Sequence, residues 1–339
     1  MMKVVAYSIK EFEKEFLVRA NHKQHDITLI SNPLSLETAL YAKGKDAIVV
    51  STNDEVSAEV INKLADFGIR YIATRSVAID HIDREAAGLR NIKLANVPSY
   101  SAAAVAEYSV LLALSLNRKI IPTVNDSREF DFRVDQHVGF NFSGRTVGII
   151  GLGDIGQAVA AIYKAMGCRV IGNDIKFPAH LKDVEEKNLN EIFEESDLIS
   201  LHLPLSNSSR HIINQQSLSK MKRGVVLINT CSGKLINTND LLKSLKNGKV
   251  GYLALDGYEY ERGIFFEDRR KNGIQDPMLE ELLSFPNVII SPHQAFLTKE
   301  GLQEVANLTI KNLDNWQAGK CSGKACVCAD SCQKVSVNT

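Results

Sequence analysis

The sequence predicts an α/β protein built from two doubly wound parallel-sheet domains. Three observations predict it. Strands and helices alternate through the first hundred residues, short β-branched apolar runs recur in the second half, and a glycine-rich turn joins one such run to a helix within 147–174. At 339 residues there is room for two domains, each with its own core.

In chain order, strands are expected at 3–7, 27–30, 47–50 and 70–73, and helices near 9–19, 34–42 and 58–67. Gly44 and Gly68 punctuate the returns to strand. The segment from Arg75 to Asp83 leaves a strand end, where open α/β sheets place ligand-binding loops. Asn96-Val97-Pro98-Ser99-Tyr100 reads as an extended crossing, because Pro98 keeps Val97 out of helical geometry. A long helix follows, with Ser101 as its expected N-cap. Its small and apolar residues predict burial on several sides, as at a domain or subunit interface.

Val147-Gly148-Ile149-Ile150 then runs into Gly151-Leu152-Gly153-Asp154-Ile155-Gly156, a helix is expected from Gln157, and a second strand ends on Asn173-Asp174. In such a unit Gly151 permits the tight turn, Gly153 lets the backbone approach a diphosphate and Gly156 lets helix and strand pack closely. The helix start offers free N–H groups and the positive end of its dipole. Asp174 lies about twenty residues on, where a carboxylate can accept ribose hydroxyls and would repel a 2′-phosphate, so the unit points to NAD rather than NADP. The glycine spacing alone is weak evidence. The flanking strand, helix and terminal acid give it weight.

Four further strands, near 197–204, 224–229, 250–256 and 288–293, end at polar residues and deliver them to one sheet edge. Glu261 and His293 arrive there from different strand ends. A histidine can exchange a proton with a carbonyl or carbinol oxygen, and a nearby carboxylate favours its protonated form. Spacing alone equally allows a core histidine and a solvated loop acid. His22, His25, His137, His180 and His211 lack metal-ligand spacing, and His202 either lines the cofactor or packs at its strand end.

Formal net charge is zero and no long basic run occurs, so neither nucleic acid nor an anionic membrane is an expected partner. Met1-Met2-Lys3 leads directly into an apolar strand without a signal peptide, and the longest nearly apolar run, 101–116, carries Glu107 and is short for a bilayer. A cytoplasmic location is the expectation.

These motifs resemble the D-isomer-specific 2-hydroxyacid dehydrogenases, most closely the D-lactate dehydrogenase branch. The likeness runs to about Gly319. It rests on the Asn96 to Ser101 segment, the Gly151 to Gly156 turn with Asp174, Asp256-Gly257-Tyr258-Glu259-Tyr260-Glu261, Gly263-Ile264-Phe265-Phe266-Glu267-Asp268 and His293-Gln294-Ala295-Phe296-Leu297-Thr298. The resemblance implies a Rossmann-type NAD domain, 101–296, inserted in a discontinuous flavodoxin-like substrate domain, 1–100 with 297–320. It implies that His293 donates the proton and Glu261 keeps it protonated. Val77, Ala78, Tyr100 and Ser232 would border the substrate. Asp154, Ile155, Asp174, Leu203, Pro204, Thr230, Cys231 and Asp256 would border NAD. The implied reaction is reduction of a small 2-oxo acid, by default pyruvate to D-lactate, in a homodimer joined through the cofactor domains.

Two positions depart from the family pattern. Ser232 stands where the family has the arginine that grips the 2-oxo acid, and serine lacks that charged bidentate fork. Lys234 or Arg75 could supply the cation. Otherwise the substrate is an altered carbonyl compound, or the chain is an NAD-responsive binding protein. Ala78 replaces a usual glycine and would narrow the pocket.

The tail, 321–339, lies outside the resemblance. Cys321, Cys326, Cys328 and Cys332 sit in a polar segment not expected to form a core. Four thiols could bind zinc or copper(I), or hold an iron–sulfur cluster. Their spacings match no common zinc pattern, so no metal is assigned and exposed thiols are expected.

Overall fold

A computed structural model describes residues 1–98, 101–321 and 323–329. The chain forms two compact units, Met1–Ser101 with Leu297–Thr339, and Ala102–Phe296.

The first unit comprises β1 (Lys3–Ala6), α1 (Glu11–Asn21), β2 (Asp26–Leu29), β3 (Ala47–Val50), α2 (Ala58–Asp66), β4 (Tyr71–Thr74), α3 (Arg84–Leu89) and β5 (Lys93–Ala95). The five strands are all parallel in the order β2-β1-β3-β4-β5. One face packs on α2 and α3, and the other on α1 and the helix Lys299–Gln317. Val4, Val5, Ile48, Val50 and Ile72 are completely buried, which explains the uninterrupted apolar strands.

Two expectations for this unit fail. The helix expected over 34–42 is only a short 3₁₀ turn, Thr38–Ala42. There the Thr38 hydroxyl accepts from Ser35 N–H at 2.8 Å and donates to Pro33 O at 2.7 Å, so side chains take the bonds an α-helix would need. β5 was not expected as a strand. Its open edge changes the fate of the tail: Val327 N–H donates to Leu94 O at 3.1 Å and Asn96 N–H to Ala325 O at 3.0 Å. Cys328 is consequently buried, and Cys321 and Cys326 are half-buried, contrary to the expected exposed thiols. Cys332 lies outside the described residues.

The second unit comprises α4 (Ala102–Asn117), α5 (Ile120–Arg128), β6 (Thr146–Ile150), α6 (Asp154–Ala165), β7 (Arg169–Asn173), β8 (Glu185–Glu186), α7 (Leu189–Glu195), β9 (Leu198–Leu201), α8 (Gln215–Lys220), β10 (Val225–Asn229), α9 (Thr238–Lys246), β11 (Val250–Leu255), α10 (Pro277–Ser284) and β12 (Val288–Ile290). Its seven parallel strands run β12-β11-β10-β9-β6-β7-β8. The direction of winding reverses between β6 and β9. α4 packs on α6 and on β10, β11 and β12, so much of its burial is accounted for within this unit. No helix among the described residues is long and apolar enough to cross a membrane.

Arg75, considered above as a replacement cation for the substrate, is turned inward. Its side chain is 2% exposed, and its guanidinium lies 2.8 Å from Glu13 Oε2 and donates to the carbonyls of Tyr7 and Ser8. Glu13 also accepts from Lys10 N–H at 3.2 Å, so one carboxylate caps α1 and neutralises a buried cation. Glu13→Gln keeps an acceptor but leaves Arg75 buried without its counter-charge. It should destabilise the first unit by about 3 kcal/mol, and adding Arg75→Met should recover much of that loss. Urea unfolding followed by Trp316, the single tryptophan and a buried member of this unit, measures both; an unchanged midpoint for the single variant would refute the structural role.

Candidate active site

The glycine turn lies at the point where the strand order reverses, between the ends of β6 and β9, the place at which open α/β sheets bind ligands. Gly151 has φ +93°, and a Cβ there would lie 2.2 Å from His202 O. Any side chain would push the two strand ends apart. Gly156 is held equally closely, since its Cβ would meet Gly151 O at 2.0 Å. Gly153, by contrast, has no atom within 4 Å of its Cβ direction. The start of α6 is therefore accessible there, and no side chain caps its first N–H groups. The helix begins at Asp154, three residues before the expected Gln157, because Asp154, Ile155 and Gly156 already form its first turn. Asp154 is exposed and Ile155 half-buried.

Asp174, at the end of β7, accepts from Leu152 N–H at 2.6 Å and Lys176 N–H at 3.0 Å. Each oxygen keeps a further lone pair for a ligand hydroxyl. Thr230, just beyond β10, is 8% exposed and its hydroxyl has no hydrogen-bond partner. An unsatisfied buried hydroxyl, a bare helix start, an open Gly153 face and a tethered carboxylate fit a dinucleotide. Leu203 is half-buried and Pro204 exposed beyond β9. The Cys231 thiol donates to Leu201 O at 3.2 Å, and burial pushes its pKa up to about 12, so it remains a neutral thiol.

His293 and Glu261 meet. His293 Nδ1 lies 3.0 Å from Glu261 Oε1, with side chains 30% and 23% exposed. Glu261 is fixed by Tyr258 N–H, which donates to its other oxygen at 2.9 Å. Asp256 organises the histidine loop and is almost fully buried. Its carboxylate accepts from the Ser291 hydroxyl at 2.6 Å and from Gln294 and Ala295 N–H, each at 2.9 Å, while its carbonyl accepts from His293 N–H at 2.8 Å. This clamp holds His293 at φ +53°, a left-handed conformation uncommon outside glycine. The turns after β10 and β11 interlock as well: a Cβ on Gly233 would lie 2.0 Å from the Tyr258 carbonyl carbon, and one on Gly257 2.3 Å from Cys231 O.

Ser232 is half-buried at the head of the 3₁₀ turn Gly233–Leu235, which also carries Lys234. The Asn229 side chain fixes this turn: its Nδ2 donates to Ser232 O at 3.1 Å, and its Oδ1 accepts from Cys231 N–H at 3.0 Å. Val77 and Ala78 belong to the first unit, on an exposed loop after β4, where Asn96 Nδ2 donates to Val77 O at 2.9 Å. Tyr100 lies outside the described residues.

Sequence reasoning gave no role to Glu259 or to His211, which the fold brings together. His211 Nε2 lies 2.6 Å from Glu259 Oε1, and Glu259 Oε2 accepts from the backbone and hydroxyl of Thr238 at 3.0 and 2.8 Å. Burial opposes ionisation of Glu259, but Thr238 and His211 outweigh it and hold the carboxyl below its usual range. Glu259 thus ties the turn after β11 both to the segment between β9 and α8, through His211, and to the start of α9, through Thr238. The only sequence signal was a second glutamate two residues before Glu261.

A dinucleotide turn at the reversal point of a parallel sheet, with a histidine nitrogen 3.0 Å from a carboxylate at nearby strand ends, fits the class of nicotinamide-dependent dehydrogenases. Residues 110–295 match the model of the D-isomer specific 2-hydroxyacid dehydrogenase, NAD binding domain. The chain is 40% identical to D-lactate dehydrogenase kk1H of Curvularia clavata over 96% of its length and 95% of that protein. It is 37% identical to an aromatic 2-oxoacid reductase of Clostridium sporogenes, covering 95% and 99% of the two chains. The solved pyruvate reductase of Chlamydomonas reinhardtii superposes with a TM-score of 0.88 at 35% identity, over 94% of this chain and 97% of that one. The chain belongs to the D-isomer-specific 2-hydroxyacid dehydrogenase family, NAD-dependent oxidoreductases acting on CH–OH donors.

His202 is buried at the end of β9. It is 8% exposed, its Nε2 lies 2.7 Å from the Ser200 hydroxyl, and burial lowers its pKa to about 3. The folded protein thus binds this proton less readily than the unfolded chain, so stability falls as pH drops below about 6.5 towards 3. Between pH 7.5 and pH 5 the wild type should lose about 2 kcal/mol more than His202→Asn. Denaturation followed by circular dichroism at both pH values measures the difference; equal losses would refute the assignment.

Proposed function

We propose that the chain reduces a small 2-oxo acid, pyruvate first among them, to the D-2-hydroxy acid. The observation that carries this reading is the 3.0 Å approach of Glu261 to His293 Nδ1. Bound NADH supplies the hydride. With Nδ1 facing the carboxylate, Nε2 is the ring atom that gives its proton to the oxygen becoming the hydroxyl. Asp256 and Glu261 act as positioning residues, one through the loop backbone and one through the ring.

Asp174 would accept the adenosine ribose hydroxyls, and Gly151, Gly153 and Gly156 would bring the start of α6 to the diphosphate. Ile155, Leu203, Pro204, Thr230 and Cys231 would flank the cofactor. Ser232 leaves the substrate carboxylate without the family's arginine, and the inward Arg75 does not replace it. We assign that cationic role to Lys234 in the same turn. A single flexible ammonium gives a less directional grip than a guanidinium fork.

NADH oxidation across a panel of 2-oxo acids, including pyruvate and phenylpyruvate, tests the reading. His293→Ala should lower turnover by about 10²- to 10⁴-fold while leaving NADH affinity within a few-fold. Unchanged turnover sinks the proposed role. Lys234→Ala should raise KM for the 2-oxo acid, and Ser232→Arg should lower it. Activity in the arginine variant alone would instead favour an NAD-responsive binding protein.

The exposed Ile120, Ile121, Val124, Phe130 and Phe132, on and just after α5, support association of two copies through the second unit. Sedimentation equilibrium should give a dimer at micromolar concentration; a monomer there would remove this reading.

A further inference from the structure

The three described cysteines of the C-terminal segment converge. Cys321 Sγ lies 3.5 Å from Cys326 Sγ and 3.7 Å from Cys328 Sγ, and all three sulfurs lie within 4.8 Å of one another. Local structure explains this. The helix Lys299–Gln317 ends near Gly319, at φ +71°, which turns the chain towards Cys321. A second reversal at Gly323, φ +90°, is closed by Cys326 N–H donating to Gly323 O at 3.1 Å. The chain then runs antiparallel along the edge of β5, with Cys326 opposite Ala95. Residues two apart in an extended segment face the same side, so Cys-Val-Cys presents two sulfurs together.

The segment is anchored chiefly by its backbone groups. Besides its two backbone bonds to Leu94 and Asn96, the Arg84 guanidinium donates to the carbonyls of Val327 at 2.9 Å and Cys328 at 3.2 Å. Leu94 N–H donates to Cys328 Sγ at 3.2 Å. Secondary structure therefore prearranges the thiols. They are free cysteines, well beyond the roughly 2.05 Å of a disulfide. Zinc bound by thiolates at about 2.3 Å in a tetrahedron places its sulfurs about 3.8 Å apart, close to the two distances observed.

We propose that Cys321, Cys326 and Cys328 form a three-thiolate zinc site that ties the chain just after the helix Lys299–Gln317 to the segment lying along β5. Each ligand thiol releases its proton on binding, and water or a small anion fills the fourth position. The spacing hides the site, because its ligands come from a helix end and one edge strand rather than from a compact zinc knuckle.

The test uses the untagged full-length chain, reduced and stripped of metal, with Zn²⁺ alone as the probe. Competition with a chromophoric chelator should give one zinc per chain, and Co²⁺ in its place should give thiolate-to-cobalt charge-transfer absorption. Cys321→Ser and Cys326→Ser should each weaken zinc binding on the order of a hundred-fold, whereas Cys168→Ser should leave it unchanged. Cys326 is half-buried, so its serine variant should still fold. Zinc should raise the melting temperature reported by Trp316 in the wild type and not in Cys326→Ser. Absence of zinc binding, wild-type zinc affinity in both serine variants, binding of copper(I) but not zinc, or recovery of the thiols as a metal-free disulfide would each overturn the proposal.

Discussion

Asp256 is the residue on which the arrangement of the second unit's polar edge depends. Its buried carboxylate takes one hydroxyl and two backbone N–H groups from the segment after β12, and its carbonyl takes the N–H of His293. A carboxylate so placed satisfies its own burial and ties β11 to the next strand end in one cluster. The left-handed backbone at His293 costs free energy, which this cluster of bonds offsets. Glu261, from the turn that begins at Gly257, then meets a histidine whose position is already fixed.

Parallel strands make this concentration possible. All seven run the same way, so every strand ends at the same edge, and the turns there crowd one another. Crowding explains the glycines better than flexibility does. Gly151 against His202, Gly233 against Tyr258 and Gly257 against Cys231 are backbone-to-backbone contacts that any side chain would break. The result is a set of closely packed peptide groups at that edge. Buried charges elsewhere are structural: Arg75 is satisfied by Glu13 and two carbonyls, and Glu259 by Thr238 and His211.

Ser232 separates scaffold from activity. The turn that holds it is kept in shape by Asn229 and by the tight approach of Gly233, neither of which involves its side chain. The fold therefore tolerates serine where the family pattern has arginine. The proposed consequence falls on recognition of the substrate carboxylate. With Arg75 turned inward, Lys234 becomes the cation through which that recognition is proposed to run. The cysteine segment follows a different logic, since it completes the edge of β5 and places its sulfurs by strand periodicity.

The sequence by itself determined the alternation of strands and helices, the glycine turn with its terminal acid, and the placing of Glu261 and His293 beyond different strands. Each is a local pattern, set by periodicity, turn chemistry or chain order, and survives without knowledge of partners. Helix limits were less legible, as at Asp154 and at 34–42, where side-chain bonds compete with the backbone. Only the tertiary structure decided which charges face inward, that Asp256 clamps the histidine loop, that His211 reaches Glu259, and that a polar cysteine segment acquires a buried thiol. These outcomes depend on contacts between residues distant in sequence, as between Arg75 and Glu13 or Leu94 and Cys328. Neither partner's local sequence encodes such a meeting; the packing of the sheet does.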